Sequence, residues 1–77
     1  MRIIGIEHVQ FRSRDGEVVN FDKVTAVERI KPEKGEGETA YTFNVSPAKT
    51  QGLTVGQEVE VLYNRFGKVR RFDCIVD

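Results

Sequence analysis

The 77-residue sequence is short of the residues on which most catalytic and metal sites depend, since it has one cysteine, one histidine and no tryptophan. A structural zinc site needs four nitrogen or sulfur ligands, and Cys74 and His8 supply only two. Nucleophilic catalysis needs a base beside the nucleophile, and these two residues stand near opposite ends of the chain. We therefore expect no enzyme, no metal and no cofactor. A Cys74–His8 pair brought together by strand closure is the weaker alternative.

The chain also lacks net charge, because twelve Lys and Arg balance twelve Asp and Glu. A neutral protein exerts no overall attraction on a polyanion, which counts against nucleic acid as a partner. The two signs are nevertheless separated along the chain. Residues 65–71 carry four cations and no acid, whereas residues 33–38 carry three glutamates and one lysine. A local basic surface therefore stays open as a nucleic-acid site.

Long apolar runs are missing as well. No stretch approaches the roughly 18 apolar residues that a membrane span requires. The few apolar residues before Glu7 are also too few to form the apolar core of a secretory leader. The lone cysteine cannot form an internal disulfide. We expect one cytoplasmic domain over residues 1–77 with no membrane contact, and a thin core that favours surface binding over an enclosed active site.

Alternating apolar residues, with no helical spacing, predict an all-β chain. In the first strand the apolar phase changes at Glu7–His8, which predicts a bulge there. Asp15-Gly16 predicts a type I′ turn, in which both residues have positive φ. The second strand has apolar residues on both faces. The predicted strands cover about residues 2–13, 17–30, 39–45, 58–64 and 68 to Val76.

Three connections follow from turn chemistry. Residues 31–38 combine charges, glycines and a proline, and predict a mobile acidic loop. Residues 46–52 predict one short helical turn, with Ser46 as the cap and Pro47 at the first helical position. The last turn is built around Arg65, Phe66 and Gly67, with Gly67 supplying a positive φ.

Five strands with a helical turn between the third and the fourth are typical of a small Greek-key barrel of the OB type. An SH3-like barrel is the alternative. Its short helical turn ordinarily precedes the last strand, where this sequence has a tight hairpin instead.

The segment YNRFGKVRRF, residues 63–72, interleaves three aromatic rings with four cations. Tyr63 shares its phase with Val59 and Val61, and the rings of Tyr41 and Phe43 are likewise predicted to lie in the core. Phe66 differs, because it stands at a hairpin tip where neither strand face easily buries it. Its ring is available to fold back on Tyr63, to join a dimer, or to stack on a base.

Further basic residues flank the first hairpin. In an OB barrel the first three strands and the last hairpin border one groove, so the cations of both hairpins and the ring of Phe66 are expected to converge there. The residues predicted to bind nucleic acid on this ground are Arg12, Arg14, Lys23, Arg65, Phe66 and Lys68, whereas the apolar phase of Phe21 predicts the core.

The first hairpin FRSRDGEVVNF, the strand YTFNV and the last hairpin with a ring and a glycine at its tip resemble the small phage and plasmid single-stranded-DNA-binding proteins. The resemblance implies a five-stranded barrel that dimerises and binds strands cooperatively through exposed rings and basic residues. It implies base stacking for Phe66 and for Phe21, which thereby becomes the seventh residue of the predicted nucleic-acid-binding set. Phosphate contacts are implied for Arg12, Arg14, Arg65 and Lys68.

The sequence therefore predicts a non-enzymatic nucleic-acid-binding module, with single-stranded DNA as the first expectation and homodimerisation as an option. The alternative is a protein-interaction module, such as an accessory or inhibitor protein of a phage or mobile element, that docks through the same hairpin. Neutral net charge and the acidic loop suit this alternative at least as well as they suit a nucleic-acid-binding module.

Overall fold

A computed structural model describes residues 1–75 as five strands and one 3₁₀ turn. The all-β prediction is confirmed, and so is the helical turn between the third and fourth strands. The end of the predicted fifth strand, Val76, lies outside the described residues. The elements are β1 (Arg2–Arg12), β2 (Val18–Arg29), β3 (Glu38–Val45), the 3₁₀ turn (Pro47–Thr50), β4 (Val59–Tyr63) and β5 (Val69–Cys74).

The strands form two antiparallel sheets, one of three strands in the order β1-β2-β3 and one of β4 and β5. Backbone hydrogen bonds join the sheets at one corner, where Ile3 N–H donates to Gln57 O at 2.9 Å and Gly56 N–H donates to Ile3 O at 2.7 Å. No strand pairing joins β3 to β5 within residues 1–75. The described strands therefore form two joined sheets, without the closed ladder of the predicted barrel.

A small core lies between the two sheets. Five buried side chains form it: Ile3, Val24, Val45, Val59 and Val69. Phe43 and Phe72 pack at its edge with their ring centroids 6.1 Å apart, and occupy the space between β3 and β5. Tyr41 and Tyr63 are 39% and 49% exposed, so their predicted place in the core is wrong.

The predicted bulge in β1 is misplaced. The irregularity lies between Ile3 and Gly5, and from Gly5 to the end of β1 the register with β2 is unbroken. The change of apolar phase has another origin. Ile6 faces the core, whereas Val9 and Phe11 lie on the opposite face of the same regular strand, which we call the outer face.

The first hairpin extends well past the sheet. β3 ends at Val45, opposite Asp22, so the strand residues before Asp22 have only each other as partners. Residues 9–21, which we call the arm, therefore project as two strands and a turn. The molecule is accordingly elongated, with extents of 49 × 26 × 26 Å.

Both hairpins close through the same three-residue loop. Gly16 N–H donates to Ser13 O in the first, and Gly67 N–H donates to Asn64 O in the second. Each glycine has positive φ, 85° and 78°, and no other residue type in the described chain does. The prediction for Gly67 is confirmed. The predicted type I′ turn is wrong, because Asp15 keeps a negative φ and only Gly16 turns left-handed.

The remaining connections are exposed. Residues 31–37 form a solvent-exposed loop, while Glu38, predicted to belong to it, starts β3 and pairs with Arg2 at 3.3 Å. The 3₁₀ turn begins with Pro47 as predicted, although the Ser46 side chain makes no capping hydrogen bond. No helix in residues 1–75 has the length and apolar character to cross a membrane.

Candidate functional site

The loop of the last hairpin, residues 64–68, presents a ring to solvent. We call it the tip. The Asn64 side-chain oxygen accepts hydrogen bonds from the backbone N–H groups of Phe66 at 2.9 Å and Lys68 at 3.1 Å. This Asx-type arrangement fixes the loop, and it leaves Phe66 74% exposed. The Arg65 guanidinium carbon lies 5.0 Å from the centroid of the Phe66 ring, within cation–π range.

A groove runs between the tip and the end of β3, with a volume of about 470 Å³. Its lining combines rings, amides, hydroxyls and lysines. Lys49, from the 3₁₀ turn, donates through Nζ to Val69 O at 2.7 Å and so ties one wall to the other. The groove is lined by Thr42, Phe43, Asn44, Val45, Ser46, Lys49, Tyr63, Gly67, Lys68 and Val69.

Two aromatic rings, Phe43 and Tyr63, line this groove, and Tyr41 continues the row beyond it. Tyr41 and Phe43 are stacked with centroids 6.4 Å apart and planes 17° from parallel. Phe43 and Tyr63 are also 6.4 Å apart, with tilted planes. Because the two tyrosines are substantially exposed, the row offers aromatic surface to a ligand as well as supporting the core.

The charged side chains that line the groove are all basic. The groove walls are drawn from residues 39–50 and 61–72, which contain no acid. Arg71 forms an ion pair with Asp73, its Nε 3.0 Å from Oδ1, just beyond the second segment. The charged residues that line the groove itself are two lysines, Lys49 and Lys68. The cations of the two segments are Lys49, Arg65, Lys68, Arg70 and Arg71.

The predicted binding residues fall into separate groups. Arg65, Phe66 and Lys68 lie together at the tip. Arg12 and Arg14 lie at the far end of the arm, Arg12 as the last residue of β1 and Arg14 in the turn that follows. No hydrogen bond, ion pair or ring contact joins the arm to the tip within residues 1–75.

Phe21 and Lys23 belong to the outer face of β2. The Phe21 ring meets Phe11 edge to face, with centroids 6.3 Å apart and planes at 82°. Lys23 is opposite Glu7 in the strand register. The structure therefore brings together three of the seven predicted residues at the tip, and places the other four on the arm or on the outer face.

Sequence reasoning missed four residues of the groove region. Tyr41 and Tyr63 were assigned to the core because they alternate in phase with buried valines, and alternation does not show where the covering sheet ends. Lys49 and Asn44 carry no motif. The helical turn was a usable signal, since its prediction placed Lys49 beside the third strand.

A second polar cluster lies where the arm leaves the sheet. Asp22 is buried, and its carboxylate accepts hydrogen bonds from Nδ1 of His8 at 2.7 Å and from the Thr50 hydroxyl. The Thr50 hydrogen bond, followed by that of His8, lowers the pKa of Asp22 against the opposing effect of burial. Cys74 is hydrogen-bonded to Gln57 instead, so the weaker alternative of a Cys74–His8 pair is not formed.

Comparison with known proteins adds no relative to these observations. A scan against protein-family models, a search of curated proteins and a search of solved structures each found no match to this chain.

Proposed function

We propose that this chain is a non-enzymatic module that binds single-stranded nucleic acid, DNA foremost, along the groove between β3 and the tip. The observation that carries the proposal is the Phe66 ring, held outward by Asn64 with the Arg65 guanidinium beside it. A ring that a fixed loop holds outward presents a face for stacking without a further change in the loop. Its cationic neighbour suits a ligand with aromatic bases and phosphates.

The groove provides the two interactions that sequence-tolerant single-strand binding requires. Rings supply stacking surfaces, each worth about 1–3 kcal/mol per base, and lysines and arginines neutralise the backbone. Tyr63 and Phe43 continue the aromatic surface inward from the tip, and Lys49 and Lys68 line the same groove. Bases must be unstacked to reach these rings, which favours a single strand over a duplex.

The arrangement of strands supports an OB-like barrel that is partly open. Two sheets joined at one corner, with the helical turn between β3 and β4, agree with that architecture. The groove between β3 and the tip also gives a nucleic-acid strand access to Phe43 and Tyr63. Arg12, Arg14, Phe21 and Lys23 stay predictions as nucleic-acid contacts, and the proposal does not depend on them.

The test is a titration of labelled single-stranded DNA, single-stranded RNA and duplex DNA, followed by fluorescence anisotropy at several salt concentrations. We expect the single strands to bind more tightly than the duplex. For three or four neutralised phosphates, the slope of log affinity against log salt should be roughly −2 to −3. No binding at low salt, or binding that is independent of salt, overturns the proposal and leaves the protein-interaction alternative.

A further inference from the structure

The outer face of the arm carries an apolar patch that no other part of the described chain covers. Val9 is opposite Phe21, and Phe11 is opposite Val19, so the four side chains form a square on one face of two paired strands. Phe11 is 49% exposed even though its ring packs against Phe21. None of the four belongs to the buried core cluster or packs against it.

An arm of two strands needs a covering partner. Two-stranded hairpins are marginally stable in water on their own, and a hydrophobic face has to be packed against something to give lasting order. On its inner face the arm has mainly polar residues, such as Gln10 and Asn20, which are opposite each other in the register. The apolar residues are thus concentrated on the face that points away from the molecule's own second sheet.

The two ends of the patch along β2 carry opposite charges, and Glu7 of β1 lies opposite Lys23 on the same face. Along β2 the outer-face residues read Glu17, Val19, Phe21 and Lys23, with Glu17 continuing the register through the hydrogen bond from Ser13 N–H to Glu17 O at 2.8 Å. A two-fold axis at the level of Asn20 exchanges the two ends of this row. It places the acid of one copy against the base of the other, as an isologous interface requires.

We propose that the outer face of the arm is the homodimer interface of this protein, with two arms packed face to face and antiparallel. Glu17 of one protomer then faces Lys23 of its partner, and the reverse contact completes the pair. Each Phe21 lies over the partner's Val19, and each Phe11 lies over the partner's Val9. Large side chains therefore meet small ones throughout, which is the pattern that packs two sheets well.

The proposed dimer is independent of nucleic-acid binding, because the arm shares no contact with the tip or the groove in the described residues. Only the arms are covered, so the interface is smaller than the roughly 1,600 Å² of a standard complex. We therefore expect a reversible dimer with a dissociation constant in the micromolar range.

Charge reversal tests both the surface and its symmetry. Glu17→Lys and Lys23→Glu each turn two ion pairs of the dimer into like-charge contacts, and each should raise the dimer dissociation constant about ten-fold. Mixing the two variants should restore association, because the heterodimer regains opposite charges at both ends. The double variant should restore it for the same reason. Glu60→Lys, an exposed reversal on β4 of the second sheet, is the matched control.

Sedimentation velocity across a concentration series, with circular dichroism to confirm that each variant is folded, provides the measurement. Weaker dimers for the single variants together with recovery in the mixture support the proposal. A wild-type chain that remains monomeric throughout overturns it. So does a dimer that is insensitive to the single reversals, or one that the mixture and the double variant fail to restore.

Discussion

Nδ1 of His8 lies 2.7 Å from Oδ1 of Asp22, so a ring that is 81% exposed is hydrogen-bonded to a buried carboxylate. An ionised carboxylate has no proton to give, so the His8 ring donates. Thr50 donates its hydroxyl to the other oxygen of the same carboxylate. Asp22 thereby connects β1, β2 and the 3₁₀ turn at the point where the arm departs from the sheet.

We predict that this carboxylate makes stability depend on acid pH. The hydrogen bonds from Thr50 and His8 hold the pKa of Asp22 below its ordinary value, which is about 3.9 in an unfolded chain. Its contribution to the free energy of unfolding is therefore complete above about pH 4 and is lost as the pH falls through the lowered pKa. Urea denaturation of the wild type and of Asp22→Asn at a series of decreasing pH values measures this contribution to the free energy of unfolding.

Asp22→Asn should be less stable than the wild type at neutral pH, with the difference narrowing as the solution is acidified below about pH 4. Asp15→Asn, in the exposed turn of the arm, is the control and should leave the pH dependence unchanged. A constant difference between Asp22→Asn and the wild type at all pH values would contradict the role given to this carboxylate.

A second prediction compares two adjacent isoleucines in β1. Ile3 is fully buried at the corner where the sheets join, and Ile4, at the irregularity, is 46% exposed. Ile3→Ala should lower the free energy of unfolding by about 2–5 kcal/mol, because it leaves a cavity in a core of only a few side chains. Ile4→Ala should change it by no more than about 0.5 kcal/mol. Chemical denaturation of both variants decides whether the corner supports the fold, and equal losses would argue against it.

A third prediction concerns the backbone of the tip. Gly67 has a φ of 78°, and a Cβ added to it would meet no other atom within 4 Å. Gly67→Ala should therefore cost about 1–2 kcal/mol from the left-handed conformation alone. Gly5→Ala is the control, since Gly5 lacks positive φ and a Cβ there would make only an ordinary contact with Thr25 at 4.0 Å. Thermal unfolding should show the larger loss for Gly67→Ala, and the reverse order would contradict this account.

Local chemistry made much of the fold predictable. Turn residues placed both hairpin loops correctly, and Pro47 placed the 3₁₀ turn, because each depends on the backbone preferences of single residues. The change of apolar phase between Ile6 and Val9 was read as a bulge. The same pattern arises in a regular strand when the apolar residues of its first half face the core and those of its second half lie on the opposite face. Only the pairing of β1 with β2 distinguishes such a strand from one with a bulge.

The candidate site was predictable only at its tip. Phe66 stood out because a hairpin loop leaves a ring exposed whatever the surrounding fold. Tyr41 and Tyr63 have the same alternation as core residues, and their exposure depends on where two separate sheets stop covering each other. Asp22 gave no local signal, since its hydrogen-bond partner Thr50 comes from a distant part of the chain. Long-range relations of this kind are not encoded in any one segment.

The last prediction concerns the binding role of Phe66 itself. Phe66→Ala should weaken binding of single-stranded DNA by about 1–3 kcal/mol, roughly 5- to 150-fold, because one stacked base is lost. The free energy of unfolding should change little, since the ring is largely exposed. Phe66→Tyr keeps a stacking ring and should bind nearly as well as the wild type. Val55→Ala removes an exposed apolar side chain away from the tip and serves as the control.

Lys68→Gln separates stacking from charge at the same site. Its affinity should fall at low salt and the salt slope should become shallower by roughly 0.7, the value for one lost phosphate contact on a single strand. Phe66→Ala should leave that slope unchanged, because the ring neutralises no phosphate. Fluorescence anisotropy of both variants across the same salt series distinguishes the two roles. If Phe66→Ala binds as tightly as the wild type, the Phe66 ring does not stack on a base and the binding role given to the tip is wrong.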